Sequence, residues 1–459
     1  NTSDGVARAL RELVRTAPPG TRVPSSRELQ EYHHASPVTI SRAVAQLVAE
    51  GLLVTRPGSG TYVAARRSEH PVAPDLAWQS LALADRPVDT RPFEDESQVV
   101  GDATLVLDGG YVTSALQPTS ALGTAMGRAA RRLDVWGRAP ARGLTTLRTY
   151  FANGTAGDVA ADDVLVTSGG QRGISLVLRA VARPGRPVLV EAPTYPGALA
   201  AVRAAGLRPV AVPMDEEGVR PDLLAVAFEM TGARAVYCQP THHNPTGATM
   251  STERRRAVVQ IARAANAFVV EDDYARLLSH GPEHPPQLTA FDPDGTVILV
   301  TSLTKPAAPS LRVAAVVARG PVGERLRRIQ HVEDLFVSRV LQAAAVELVG
   351  SPAWNRHLRS LARALGERCE VLGTAVRRDL PTWSVTTPRG GLHLWAELPH
   401  GTDVDALAAR ARDHGVQVAS GSRFFAEESH GPHLRLAFGT APEVGHLVEV
   451  VARLAGAGS

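Results

Sequence analysis

The stretch "VTSLTKPAAPSLRVA", residues 300–314, contains Lys305, the only lysine in a chain whose 49 Lys+Arg are otherwise all arginine. A bare positive charge could have been arginine here too. An amine that must shed its proton could not, because a guanidinium stays protonated while a lysine pKa of about 10.4 yields to its surroundings. Two readings follow: a solvated surface lysine in an arginine-biased chain, or a nucleophilic amine that forms a Schiff base. Other stretches offer partners for the second. "SGGQRG" (168–173) opens a helix with glycines whose N–H groups can face an anion. "THHNPTG" (241–247) carries the amide of Asn244 in a tight turn. "EDDY" (271–274) places Asp272 and Tyr274 at the end of an apolar run, where a buried charge is costly unless paired. Arg312 follows the lysine by seven residues.

A phosphorylated aromatic aldehyde would use all of these groups. The lysine binds its carbon, the carboxylate keeps its ring nitrogen protonated, and the amide and tyrosine hold its phenolate. The glycine loop and Arg312 hold its phosphate. That ligand is pyridoxal 5′-phosphate.

The elements that must position these groups read as α/β. From about residue 103, short apolar runs ("DVLVT", "RPVLVE", "RAVYCQP", "AFVVEDD", "TVILVTS") alternate with helical stretches of ten or more residues. That pattern predicts a large, mainly parallel sheet with helices on both faces. Ligands of such sheets bind at the carboxyl ends of the strands, which is where the polar stretches fall.

The first 65 residues differ. Val6, Leu10, Leu13 and Val14 lie at helical spacing, and "PPGTRVP" ends that helix. Ser25 and Glu28 are placed as a capping box, and Ser36 as an N-cap ahead of Pro37. Ile40, Val44, Leu47 and Val48 predict the buried stripe of a third helix that Gly51 ends, and "LLVTRPGSGTYVA" predicts a hairpin. Three helices and a hairpin predict a winged helix-turn-helix, its third helix entering the major groove of double-stranded DNA by Val38, Thr39 and Arg42. Nine arginines against five acidic residues in positions 1–67, in a chain of net charge +3, concentrate the basic surplus at this end.

Residues 66–100 are rich in charge and proline and hold no apolar period, which predicts a linker with one short helical piece near Leu76–Leu83. The expected domains are therefore 1–65, a linker at 66–100, and 101–459. At 44% hydrophobic and 21% charged, the composition is that of a globular chain rather than a disordered one. No apolar run reaches the roughly 18 residues a membrane helix needs, and no signal segment opens the chain, so the expectation is a cytoplasmic protein away from membranes. Cys238 and Cys369 fit a reducing compartment and have no metal-site spacing.

"PSSRELQEYHHASPVTISRAVAQLVAEGLLVTRPGSGTYV" resembles the DNA-binding domain of the GntR family almost end to end. The resemblance implies DNA contacts from Arg27, Thr39, Arg42 and the wing residue Gly60. Residues from about 104 to 457 resemble the fold-type-I aminotransferases, in the motifs "TSGGQRGISLV", "VEAPTYPGAL", "NPTG", "EDDY", "SLTKPAAPSLR", "PRGGLHLW" and "LRLAFG". This implies a large sheet domain with a smaller C-terminal α/β subdomain. It also implies Lys305 as the Schiff-base lysine, Asp272 on the pyridine nitrogen, and Tyr274 and Asn244 on the phenolate. Gly169, Gly170, Gln171, Ser302 and Arg312 would serve the phosphate, Tyr195 would stack on the ring, and Arg435 would take a substrate carboxylate. Trp136 stands near where that family has a tyrosine lent by the partner subunit.

The fusion is that of the MocR/GabR-type regulators. The resemblance implies a head-to-tail, domain-swapped homodimer that binds an operator and senses an amino compound or the cofactor itself. The alternative is an active aminotransferase that keeps a vestigial DNA-binding domain, which the asparagine of "HHNPTG" leaves open.

Overall fold

The computed structural model describes residues 3–65, 76–83, 104–281 and 285–458, divided between two compact units, Asn1–Pro87 and Val88–Ser459. Helix α1 (Ser3–Thr16) buries Val6, Ala7, Leu10 and Val14. Helix α2 (Ser26–His33) starts at the expected capping box: the Ser25 hydroxyl accepts from the Glu28 N–H at 3.3 Å, and the Glu28 carboxylate accepts from the Ser25 N–H at 2.6 Å. Helix α3 (Pro37–Ala49) starts at Ser36, whose hydroxyl accepts from the Thr39 N–H at 3.2 Å.

The buried stripe of α3 is turned from the expected one. Ile40, Ala43 and Leu47 are buried and Val44 partly so, while Val48 is 37% exposed. A 3.6-residue period carries the core face from 40 through 43 to 47, and 48 falls past it. Strands β1 (Leu53–Arg56) and β2 (Gly60–Val63) pair antiparallel as the wing. Leu53 and Val63 close the small core over Val6, Leu10, Ile40 and Leu47. Most of the linker expected at 66–100 lies outside the described residues. Helix α4 (Ala77–Leu83) falls on the helical piece expected there.

The second unit opens with β3 (Leu105–Val106). Its large sheet comprises β4 (Val164–Thr167), β5 (Pro187–Ala192), β6 (Arg208–Asp215), β7 (Gly218–Val219), β8 (Ala235–Cys238), β9 (Phe268–Asp273), β10 (Val297–Ser302) and β11 (Ala314–Val317). The order is β4-β11-β10-β9-β8-β5-β6-β7. β10, β9, β8, β5 and β6 run parallel, and β11 lies antiparallel between β10 and β4. The five expected apolar runs are β4, β5, β8, β9 and β10.

Alternate residues supply both faces. Val188, Val190, Tyr237, Val270 and Val300 pack with Ile174 and Val177 of the Gly170–Val181 helix. Leu189, Val236, Cys238 and Val269 pack with Leu224, Phe228, Val258 and Val259 of the helices on the other face. A strand covered on both sides must be apolar throughout, hence the continuous runs. At about 1.5–3 kcal/mol per fully buried aliphatic side chain, this core anchors the strand ends that carry the site.

The smaller subdomain is an antiparallel sheet of β12 (Ser384–Val385), β13 (His393–Glu397), β15 (Ala419–Ser420) and β16 (His433–Ala437), in the order β12-β13-β16-β15, while β14 (Val416–Gln417) pairs with β3. The helices Pro352–Asp379 and Val444–Gly458 bury Leu365, Leu372, Val450 and Leu454 in its core. Among the described residues no helix is long and apolar enough to cross a membrane.

Candidate functional site

The carboxyl ends of β4, β8, β9 and β10 converge on one pocket. Lys305, Asp272, Tyr274, Asn244, Arg312 and Arg435 line it, with Gly170, Gln171, Tyr195 and Ser302 completing its wall. Every residue named from the sequence for this chemistry is therefore in one place, Gly169 included through its contact with Arg312. The Lys305 ammonium donates to the Gly110 carbonyl at 2.6 Å and sits 3.7 Å from the centre of the Tyr111 ring.

One end of the pocket is built for an anion. Gly169 has φ +95°, and a Cβ there would lie 2.6 Å from the guanidinium carbon of Arg312, so backbone and cation approach as only glycine allows. Arg312 donates to the Ser168 carbonyl at 2.8 Å, which aims it across the start of the Gly170–Val181 helix. The N–H groups of that first turn have no partners within the helix. The Gln171 side-chain amide donates to the Gly197 carbonyl at 2.7 Å, so what Gln171 offers an anion is its backbone N–H. The Ser302 hydroxyl accepts from the Thr304 N–H at 3.0 Å, and the Thr304 hydroxyl is buried without a hydrogen-bond partner among the described residues.

At the other end lies Asp272, 4% exposed. Tyr237 and Gln239 both donate to its Oδ2, at 2.6 and 2.7 Å. Burial nonetheless pushes its carboxyl up to about 6, against those two hydrogen bonds. A cationic N–H in the pocket would relieve that cost. The other two acids of "EDDY" face away, as the period of two requires. Asp273 accepts from Arg276 at 2.6 Å and Gln287 at 3.1 Å. Glu271 accepts from the Leu288 N–H, and burial beside Asp273 raises its carboxyl to about 8.

Asn244 and Arg435 are joined: Arg435 Nη1 donates to Asn244 Oδ1 at 3.0 Å. Arg435 also donates to the Asp108 carbonyl and stacks on Phe424 at 5.0 Å. With its oxygen engaged, Asn244 has its NH₂ to offer a ligand oxygen. The Tyr274 hydroxyl donates to the His242 carbonyl at 2.8 Å. The Tyr195 ring packs over Gly197, where a Cβ would lie 2.3 Å from it. Trp136 is 68% exposed, and its indole N–H donates to the Ala130 carbonyl at 3.1 Å.

Gly110, Tyr111, Tyr237, Gln239 and His393 belong to the site or its supports and had been assigned no role from the sequence. Gln239 and His393 stand inside the motifs "RAVYCQP" and "PRGGLHLW": Gln239 closes an apolar run, and His393 is a polar residue set between two leucines at the start of one. Tyr111 has no local signal, being brought to Lys305 by the fold.

In the first unit, Arg42 is exposed near the start of α3. Arg27 is 89% exposed and pairs with Glu31 at 3.2 Å. Such an exposed pair is worth little and yields readily to a phosphate. The Thr39 hydroxyl lies 2.9 Å from that of Ser36, so it serves the cap as well as facing outward. Gly60 has φ +123° and a Cβ there would lie 3.0 Å from Arg22 Nε, so the wing turn needs glycine and holds a further cation beside it. Arg56 stacks on Tyr62 at 4.9 Å.

Known proteins share both units. Residues 2–63 match the bacterial regulatory proteins of the gntR family, and residues 140–451 match aminotransferase class I and II. The uncharacterized HTH-type transcriptional regulator YjiR of Escherichia coli K12 is 30% identical over 91% of this chain and 90% of its own length. The probable rhizopine catabolism regulatory protein MocR of Rhizobium meliloti is 27% identical over 88% and 83%. Among solved structures, LysN, an alpha-aminoadipate aminotransferase from Thermus thermophilus complexed with N-(5′-phosphopyridoxyl)-L-leucine, superposes with a TM-score of 0.77 at 29% identity. The match covers 83% of this chain and 98% of LysN. The chain belongs to the aminotransferase class I and II family, in the branch that joins that domain to a gntR-family DNA-binding domain, the MocR/GabR-type transcriptional regulators.

Proposed function

We propose that this regulator binds an operator in duplex DNA through its winged helix and senses an amino compound in a pocket that holds pyridoxal 5′-phosphate. One observation carries this: the chain's single side-chain amine shares a pocket with a buried carboxylate and an anion cradle, in a chain that also bears a winged helix.

The donor set fits that cofactor. Asp272 would hold a protonated ring nitrogen, and the Asn244 NH₂ with the Tyr274 hydroxyl, turned from His242, would hold a phenolate. Tyr195 would lie against the ring. The backbone N–H groups of Gly170 and Gln171, in the turn that Gly169 permits, with Ser302 and Arg312, would hold the phosphate; the Gly169 N–H itself donates to the Thr167 carbonyl. When bound, the cofactor supplies an electrophilic carbon and an electron-accepting ring. Lys305 supplies the amine, held at Gly110 and Tyr111. Arg435 offers a ligand carboxylate a charge-assisted pair.

A ligand changes DNA affinity only as far as it binds two arrangements of the protein differently. A second copy of the chain would supply such arrangements. The exposed apolar side chains of Leu133, Trp136, Val332 and Leu335 support a homodimer. The domain-swapped form belongs to the same reading. A second reading, a working aminotransferase, is favoured by the complete site and the Asn244–Arg435 pair.

Binding to the region upstream of the protein's own coding sequence, with and without cofactor and candidate amines, tests the proposal. Affinity should fall steeply with salt. Arg42→Ala should cost about 1–3 kcal/mol of specific binding if it meets a base edge, and Arg27→Ala should weaken binding across sequences alike. Unchanged affinity in both variants would refute the groove assignment. Turnover of amino and oxo acids near a typical roughly 10 s⁻¹, with DNA binding indifferent to every ligand, would establish the enzyme reading instead.

A further inference from the structure

His393 begins β13, is 4% exposed, and lines the same pocket as Lys305 and Arg435. Its Nε2 is buried with no hydrogen-bond partner among the described residues. Burial, Arg435 and Lys305 hold the imidazole well below its usual pKa, and the Gly109 carbonyl beside the ring favours a ring N–H on its side. The ring is therefore neutral, with one nitrogen protonated toward Gly109. The unpartnered Nε2 is then a lone pair, an acceptor only. A buried acceptor with nothing donating to it is costly, and a ligand donor would recover that cost.

The sheet register places it relative to the carboxylate site. His393 pairs with Ala437 and Trp395 with Arg435, so His393 and Arg435 are diagonal neighbours on one face of β13 and β16. Such neighbours stand about 7–8 Å apart, close enough for one small molecule to meet both.

We propose that His393 is a specificity-determining residue that accepts a hydrogen bond from the side chain of the sensed ligand, so that this ligand is an amino acid carrying a hydroxyl. The proposal rests on the amine-sensing reading of the pocket. Arg435 holds the carboxylate, Lys305 stands at the amine end, and His393 selects among side chains. Lys305 and Arg435 are cations and repel a second positive charge at this position, which favours a neutral hydroxyl over an ammonium.

Full-length protein loaded with cofactor should be titrated with L-serine against L-alanine, and with L-threonine and L-homoserine against L-2-aminobutyrate. The readouts are the shift in visible absorbance and the change in operator affinity. At least one hydroxylated member should bind ten-fold or more tighter than its counterpart. His393→Phe should bring that ratio to about one while still binding the unhydroxylated counterpart, and His393→Gln, which keeps an acceptor, should restore part of it. Wild-type protein that responds to amino acids but binds each pair equally overturns the role of His393 and leaves the sensing reading standing. A preference that survives in His393→Phe overturns it as well. If none of these amino acids shifts the spectrum or the operator affinity, the selecting role of His393 is overturned, and the sensing reading falls only if every candidate amine is equally silent.

Discussion

Lys305→Ala is expected to give a folded protein that cannot be covalently loaded with pyridoxal phosphate. The side chain is only half-buried and belongs to none of the apolar cores, so its loss costs little stability. Its amine has no substitute, because no other lysine exists in the chain. Wild-type protein incubated with the cofactor should turn yellow, and borohydride should then fix the label. Trypsin rarely cuts before proline, so the label should appear on the peptide from Leu277 to Arg312, which contains Lys305–Pro306 intact. The variant should show neither colour nor label, and its thermal melt without cofactor should match wild type. Colourless wild-type protein that takes up no cofactor, or a label on any other peptide, would end the present reading of the second unit.

Asp272→Asn should change stability with a definite pH signature in cofactor-free protein. In the folded chain this carboxyl is raised from 3.8 to about 6, chiefly by burial. The folded state therefore binds the proton more tightly than the unfolded one. The penalty for ionising it is absent below the unfolded pKa, grows as pH rises through 4 to 6, and is complete above the folded value. At about 1.36 kcal/mol per pKa unit, the full penalty is of order 3 kcal/mol. Asparagine removes it while still accepting from Tyr237 and Gln239. The variant should be more stable than wild type at pH 8 by about 2–3 kcal/mol, with the gain fading below pH 4. Denaturant melts across this range measure it, and a difference that ignores pH would refute the assignment of the shift. Cofactor affinity should move the opposite way, falling in the variant because the ring nitrogen loses its counter-charge.

The strands that run apolar end to end were legible because covering both faces leaves no polar positions. β6 was missed: it carries Pro209 and Pro213, lies next to the sheet edge, and is largely half-exposed, so no clean period survives. β11, four small or branched residues just after Arg312, is too short to separate from a loop. Gly169, Asn244, Asp272 and Lys305 were legible because each follows or closes an apolar run, whereas Tyr195 and Arg435 came only from the family resemblance. The supports were not: Gly110 and Tyr111 lie far from Lys305 in the chain, and Tyr237 reads as one more buried aromatic until its hydroxyl is seen at Asp272. In the first unit both caps could be read residue by residue. The buried face of α3 could not, since Ala43 and Val48 compete for one stripe on nearly equal spacing.

The bond between Asn244 Oδ1 and Arg435 joins the residue proposed for the cofactor's phenolate to the residue proposed for the ligand's carboxylate. A carboxylate arriving at Arg435 would compete for the guanidinium that donates to the amide, whereas a simple amine at Lys305 would leave that bond alone. Under the proposed function the pocket would thereby act as a coincidence detector, telling amine and acid together from amine alone, so that a flood of small amines could occupy the lysine without being mistaken for the signal.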